Sequence, residues 1–392
     1  MTAEADIAVL IERYAGELAA AGAIRSAAVR RAFSTVPRHR LLETFSYRDE
    51  TGSHTVEHDP WHPRREDLEI IYADTALATR RLNGIPTSST SGSALVARML
   101  ELLELGDGMT VLEIGAGTGY NAALLAEIVG DQQRVTTVDV QADVVEQTRR
   151  LLSRTGYPQI RVRLGDGFDG VPEHAPFDRI VATVGCGDLS PRWAEQLADG
   201  GTMLVPLDHA GEHPLVRLRR DHGTLSGRIA GWTGFMPVRG PLQIEDIWPR
   251  GYIVADPGEV ARAGELGPRF APAGSPGLPG EETGFLFFLS LNDRRAFDGP
   301  NGPGLNAMSD GWADAGTDGI RWWKDGALAR ELDRYYQDWD DLGRPGAGDY
   351  QVSFVPVGQE CDRPAGGWMI ERRFYRELVT LDPGRVELRM AV

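Results

Sequence analysis

The chain has 392 residues, 42% of them apolar and 25% charged, a composition that folds and a length that suits two domains better than one core. A formal charge of −16 repels nucleic-acid phosphate and anionic lipid, so neither is expected as a partner. Only Cys186 and Cys361 are present, which excludes a disulfide framework and a cysteine-rich zinc site; with no apolar run near the roughly 20 residues of a membrane span, the expected location is the cytoplasm.

The first elements are helical. "DIAVLIERYAGELAAAG" and "SAAVRRAFSTV" carry apolar residues at helical spacing, Pro37 ends the second, and the early acids do not fit a signal peptide. "HTVEHDPWHP" then spaces His54, His58 and His62 four apart beside Glu57 and Asp59. Pro60 breaks the helix that would align them, so an exposed loop is expected rather than a metal site. Residues 86–100, "PTSSTSGSALVARML", place flexible hydroxyl-rich chain before a helix. Ser91 or Ser93 would cap it, and Leu95, Val96, Met99 and Leu100 would form its buried stripe.

From 110 to 207 apolar strands alternate with helical stretches, the pattern of a parallel sheet wrapped by helices. In "VLEIGAGTGYNAALL" the first strand runs into Gly115, Gly117 and Gly119, and glycines let backbone turn tightly against a ligand. A dinucleotide fingerprint needs glycine where Tyr120 stands, which argues against a pyrophosphate cofactor. Asp139 ends the second strand, placed to accept a ribose hydroxyl pair, and an adenosine without a pyrophosphate fits: S-adenosylmethionine. Asp166, before Gly167 at the end of the third strand, would accept from an adenine amino group or serve only as a turn acid. Cys186, after the fourth strand, reads as a small residue lining the same pocket.

The hairpin strands "PLVRLRR" and "RIAGWTGFMPV" would close the sheet edge, ending the core near residue 240. Beyond, "RFAPAGSPGLPGEETG" and "FDGPNGPGLN" read as loops around a buried strand "FLFFLSL". "ALARELDRYYQDWDDLG" reads as a helix, and "YQVSFVPV" and "GWMIERRFYRELVTL" as strands of a smaller α+β domain. Its aromatics Trp322, Trp323, Tyr335, Tyr336 and Trp339 suit core packing. The expected division is 1–80 as helical flank and substrate-side loops, 81–240 as the core, and 241–392 as a peptide-recognition extension.

Taken in order, "AFSTVPRHRLL", "IYADTALAT", "SSTSGSALVARMLELLEL", "VLEIGAGTGYNAALLAEIVG", "GDGFDGVPEHAPFDRIVAT" and "GGTMLVPL" resemble the protein-L-isoaspartate (D-aspartate) O-methyltransferase family over about residues 20 to 240. The resemblance implies an α/β, Rossmann-like methyltransferase fold, S-adenosylmethionine as donor and a peptide carboxylate as acceptor. It implies a donor site of Glu113, Gly115, Ala116, Gly117, Thr118, Gly119, Tyr120, Asp139, Val140, Gly165, Asp166, Gly167 and Thr183. It places Ser91 beside the substrate carboxylate, with Thr90 and Ser89 as neighbours. A carboxylate of pKa about 3.9 is already an anionic nucleophile at neutral pH and needs no general base. A hydroxyl and loop N–H groups suffice to orient it, and a Lys or Arg would hold it too firmly.

Two departures stand out. The family usually continues Ser-Gln-Pro or Ser-Ala-Pro where this chain has Ser91-Gly92-Ser93, and repair enzymes are expected to lack the extension beyond 240. With "GIPTSSTSGS", that extension resembles methyltransferases of ribosomally made peptides of the graspetide and lanthipeptide type. The resemblance then implies methylation of an Asp in a cyclised precursor peptide, the ester leading to aspartimide or isoaspartate. The alternative is repair of isoaspartyl residues in damaged proteins.

Overall fold

The computed structural model describes residues 3–243, 253–263 and 280–382, together with Trp248, Leu266 and Phe270. Most of "RFAPAGSPGLPGEETG" lies outside the described residues. The chain divides into two compact units of nearly equal length, Met1–Val184 with Arg192–Leu204, and Gly185–Pro191 with Val205–Val392. The second is therefore no small appendage, and the division does not fall at residue 240.

In the first unit α1 (Ala3–Ala20) buries Ile11, Tyr14, Ala15 and Leu18, and α2 (Ala27–Thr35) buries Val29, Ala32 and Phe33. Ser26 caps α2, its Oγ accepting from Val29 N at 3.2 Å. An antiparallel sheet of order β2-β1-β3-β4 follows, from β1 (Thr44–Asp49), β2 (Gly52–Glu57), β3 (Leu77–Leu82) and β4 (Ile85–Thr90), with α3 (Arg65–Ile71) between β2 and β3. Two expectations change here. The stretch from Ile85 to Thr90 is a strand, paired Leu77 to Thr90 and Ala78 to Ser89, across an Asn83-Gly84 turn with positive φ at both residues. Its hydroxyls alternate as a pleat requires, Ser88 and Thr90 buried and Ser89 between them half-buried.

"HTVEHDPWHP" is not one exposed loop. His54 lies in β2 and bonds Asp49 Oδ1 at 2.9 Å, while His62 is exposed and bonds Asp59 Oδ2 at 3.0 Å. His58 is buried between Asp67 Oδ2 at 3.2 Å and the His39 carbonyl at 3.1 Å. Three histidines thus serve three different acids.

Helix α4 (Ser93–Leu103) buries Val96, Met99 and Leu100 but only half-buries Leu95. Neither Ser91 nor Ser93 caps it. Gly92 holds the cap position, and Asp74 Oδ1 accepts from Ala94 N at 2.8 Å, so the capping oxygen comes from twenty residues away.

The parallel strands are β5 (Val111–Ile114), β6 (Val135–Asp139), β7 (Arg161–Leu164), β8 (Phe177–Ala182) and β9 (Leu197–Pro206), ordered β9-β8-β5-β6-β7. Helices α5 (Tyr120–Val129), α6 (Ala142–Thr155) and α7 (Pro191–Gln196) link them. The order reverses at β5, and open parallel sheets bind ligands at the carboxyl ends beside such a switch. This is the Rossmann-like α/β arrangement expected from the sequence.

In the second unit β10 (His213–Asp221) and β11 (Thr224–Thr233) form the expected hairpin, but β11 is not an edge. It pairs with β17 (Tyr350–Pro356), followed by β19 (Tyr375–Leu381) and β18 (Trp368–Glu371). A second antiparallel sheet of order β12-β16-β15-β14-β13 contains β12 (Val260–Ala263), β13 (Ala296–Gly299), β14 (Gly302–Asn306), β15 (Gly311–Gly316) and β16 (Gly319–Lys324). "FLFFLSL" belongs to a helix, α8 (Glu281–Asn292), with every residue from Gly284 to Ser290 buried. A run with no exposed face has no period to read, so strand and helix are indistinguishable from pattern alone. "FDGPNGPGLN" is the β13–β14 hairpin, not a loop. Helix α9 (Gly326–Asp341) packs Tyr336 and Trp339 against Phe270 and Phe285, as core aromatics should.

This unit buries an ionic knot. Arg372 donates to both Glu377 Oε2 (2.6 and 2.9 Å) and the carbonyls of Gly187 and Asp208, while Glu377 Oε1 faces His209 Nε2 at 3.2 Å. Burial would raise the Glu377 carboxyl, but Arg372 and His209 hold it down at about 2. Removing one member of such a knot leaves a buried unpaired charge. Arg372→Met is expected to lower unfolding stability by about 3–5 kcal/mol, read from urea denaturation at pH 7; a loss below about 1 kcal/mol would mean the knot behaves as a surface pair.

Candidate active site

The carboxyl ends of four parallel strands converge on one turn. Gly115, Gly117 and Gly119 have φ of 101°, 50° and 82°, the left-handed region that side chains resist. Space is as restrictive as torsion. A Cβ on Gly115 would stand 2.8 Å from Thr183 Oγ1, one on Gly117 3.1 Å from the Ser89 carbonyl, and one on Gly119 2.9 Å from Thr148 Cγ2. Thr183 Oγ1 donates to the Ile114 and Gly115 carbonyls at 3.0 and 2.9 Å, which fixes the turn to the end of β8.

Asp139 ends β6 half-buried, Oδ1 accepting from Gln141 N at 3.0 Å and Oδ2 from Gly117 N at 3.4 Å. It therefore bridges the second strand end to the glycine turn. Val140 beside it is 46% exposed, an apolar surface left uncovered at a ligand-binding edge. Asp166 Oδ1 accepts from Phe168 N at 2.9 Å, so one of its oxygens does the work of a turn acid. Gly167 packs so closely that a Cβ would meet Ile114 Cγ2 at 2.6 Å, whereas Gly165 leaves ordinary room at 3.7 Å from Val138. Thr118 Oγ1 accepts from Tyr120 N at 3.4 Å, and Ala116 is buried. Tyr120 turns its ring away from solvent into the packing of Phe33, Tyr14 and Arg38.

Glu113 is buried in β5, and its Oε1 accepts from Asn121 Nδ2 at 2.7 Å. Its Oε2 is buried beside Thr137 Oγ1, the neighbour in register, whose hydroxyl favours the carboxylate although the pair falls short of good hydrogen-bond geometry. Burial, with Asp139 adding, pushes the carboxyl up to about 7. A cation nearby would favour its ionised form.

Strand β4 lies against this turn. Besides the approach of Gly117 to Ser89, Gln141 Nε2 donates to the Thr87 carbonyl at 3.0 Å, and Arg80, Ser88, Gly117, Thr118 and Gln147 line a shared recess. Ser91 is half-buried just past β4, and its Oγ makes no hydrogen bond among the described residues. Its carbonyl accepts from Arg38 Nη2 at 3.0 Å.

The sequence profile of the family described as protein-L-isoaspartate(D-aspartate) O-methyltransferase matches residues 12–243. The chain belongs to that family. Relatives of the same description include one from Methanopyrus kandleri, 36% identical over 233 residues, 58% of this chain and 91% of that one. Another, from Methanococcoides burtonii, is 36% identical over 176 residues, 45% of this chain and 84% of that one. A solved structure of a protein-L-isoaspartate O-methyltransferase shares the fold at a TM-score of 0.54 and 23% identity, covering 94% of this chain and 99% of that one. That shared fold extends over the second unit as well as the first.

As a member of this family the chain is a carboxyl methyltransferase, with S-adenosylmethionine as its donor. The residues present fit that molecule: a glycine cradle that any Cβ would fill, an acid at the second strand end, and a buried carboxylate whose ionised form a cation would favour. Cys186 takes no part as a nucleophile. It is fully buried, and burial with Asp188 beside it pushes the thiol far up. Sequence reading missed Arg38, Gln141 and Asp74, which act through backbone partners that no local motif announces. Gln141 had one available signal, its place two residues after Asp139.

A proton on Glu113 removes the negative charge that the donor's ammonium group would meet. Affinity for S-adenosylhomocysteine is therefore expected to fall as pH drops through about 7, where Glu113 titrates. In Glu113→Gln it should be weaker by about 10-fold or more and flat across pH 6–8. Calorimetry at three pH values reads both; a Gln variant that keeps the wild-type pH profile would detach Glu113 from the donor.

Proposed function

We propose that the chain methylates the free α-carboxylate of L-isoaspartyl residues in peptides and proteins, the side-chain carboxyl there being part of the peptide bond. The observation that carries this reading is the meeting of the glycine turn with the acceptor strand, Gly117 against the Ser89 carbonyl and Ser91 just beyond it. Bound over the turn, S-adenosylmethionine supplies a methyl group on a positively charged sulfur. The protein's part is placement. An ionised carboxylate needs no base, and the site contributes by holding one oxygen in line at roughly 3–3.5 Å and excluding water. Ser91 Oγ, with no partner of its own among the described residues, is free to donate to that carboxylate without protonating it. Relatives described as protein-L-isoaspartate O-methyltransferases, matched over most of their length, support the isoaspartyl acceptor.

A second reading keeps one observation in its favour. Ser91-Gly92-Ser93 lacks the family's proline, and Gly92, with φ of −57°, has no side chain of its own to cap α4. A segment of that kind would admit a bulkier acceptor, such as an Asp in a cyclised peptide whose ester collapses to aspartimide.

The readings part in one experiment. With S-adenosylmethionine, a linear isoaspartyl peptide is expected to gain about 14 Da by mass spectrometry, while the matching Asp peptide, linear or cyclised, does not. Gain on the cyclised Asp peptide alone would reverse the assignment. Ser91→Ala is expected to lower kcat/KM by about 10- to 100-fold with S-adenosylhomocysteine binding unchanged.

A further inference from the structure

Arg38 is an unusual cation. It is completely buried, yet among the described residues it has no ion-pair partner. Its hydrogen bonds go to neutral acceptors: Ser93 Oγ at 2.5 Å from Nη1, and the Thr75 and Ser91 carbonyls at 3.1 and 3.0 Å from Nη2. Its Nε has no partner, and the Tyr120 ring lies 5.7 Å from the guanidinium carbon. Guanidinium stays charged in proteins, and burying a charge without its opposite is costly. Several more exposed arginines of this unit do find acids, Arg64 on Asp67, Arg80 on Asp143 and Arg150 on Glu43.

The position explains the exception. Through Tyr120, Arg38 touches the first residue of the helix that leaves the glycine turn; through Ser91 and Ser93 it touches both sides of the acceptor segment's entry into α4. Ser93 Oγ also accepts from the Tyr14 hydroxyl, so the arginine is locked from behind. Both N–H groups of Nη2 and one of Nη1 are committed to the protein, so most of its donors are held while its charge is not matched. Such a group attracts an anion into the site and does not clamp it, so the carboxylate remains free to act as a nucleophile.

We infer that Arg38 is the substrate-positioning residue that makes the acceptor site selective for an anionic carboxylate, its uncompensated charge being matched only when the acceptor is bound. This rests on the carboxyl methyltransferase reading above. No bond forms or breaks at Arg38; its effect is electrostatic, across a low-dielectric gap where charges interact strongly.

The test uses the full chain and two inhibitory peptides that differ only in carboxylate against carboxamide at the acceptor position, alongside the peptide that the wild type methylates. In the wild type the carboxylate peptide should bind at least about 10-fold more tightly than the carboxamide. Arg38→Gln should bring that ratio close to 1 and raise KM by a similar factor with a smaller change in kcat. Arg38→Lys, which keeps the charge, should retain most of the preference. S-adenosylhomocysteine affinity, measured by calorimetry, should be unchanged in both variants, which excludes general unfolding; if Arg38→Gln does not fold, the wild-type and Arg38→Lys ratios decide. A preference that persists in Arg38→Gln, its loss in Arg38→Lys, or a wild type indifferent to the carboxylate overturns the inference alone. A wild type that binds donor product but methylates no carboxyl peptide overturns the reading on which it rests.

Discussion

The backbone between β5 and α5 is the constraint on which the site depends. Gly115, Gly117 and Gly119 carry positive φ in a five-residue span, and each meets a neighbour that a Cβ would strike. One meets the end of β8, one the acceptor strand β4, and one the helix α6. The turn is therefore a three-way joint as well as a cradle. Its hydrogen bonds repeat the point: Gly115 N donates to the Val138 carbonyl, Gly117 N to Asp139, and Thr148 Oγ1 to the Gly117 carbonyl. A ligand resting there would touch the ends of the first, second and fourth parallel strands while facing the segment that carries Ser91.

Buried polar groups in this chain fall into two kinds. Arg372, Glu377 and His209 in the second unit satisfy one another, and such groups serve stability. Those of the first unit near the turn are left partly unsatisfied: one oxygen of Glu113, the Thr137 hydroxyl, Nε of Arg38. Unmet buried polarity is disfavoured in folding and tends to persist where a ligand meets it. The two signs also differ in place. The buried carboxylate belongs to the strand under the donor turn and the unmatched guanidinium to the acceptor side, in keeping with a cationic donor and an anionic acceptor.

Much of this was legible in the residues. The alternation from Val111 to Pro206, the three glycines and Asp139 are local and periodic, so the parallel sheet and its ligand edge follow from pattern. The acceptor segment was harder. Its hydroxyls suggested flexible chain, whereas Asn83-Gly84, a hairpin signal in plain view, makes Ile85–Thr90 a strand. The α4 cap was misassigned because its oxygen belongs to Asp74, and tertiary capping leaves no mark in the neighbouring sequence. "FLFFLSL" carried no period because every face is buried, and the loops of the second unit concealed a hairpin whose turn is Pro300-Asn301. Arg38 and Gln141 act through partners tens of residues away, and one sequence does not show such pairs.

The central claim is that a sulfonium-bearing nucleoside occupies the glycine turn while a peptide carboxylate sits beside Ser91. A crystal structure of the chain with S-adenosylhomocysteine and an isoaspartyl peptide tests it most directly. The account predicts the product sulfur over Gly115–Gly119, ribose oxygens at Asp139, and the peptide carboxylate between Ser91 Oγ and the sulfur. Product bound away from that turn, or a peptide carboxylate held on another face of the unit, would contradict it.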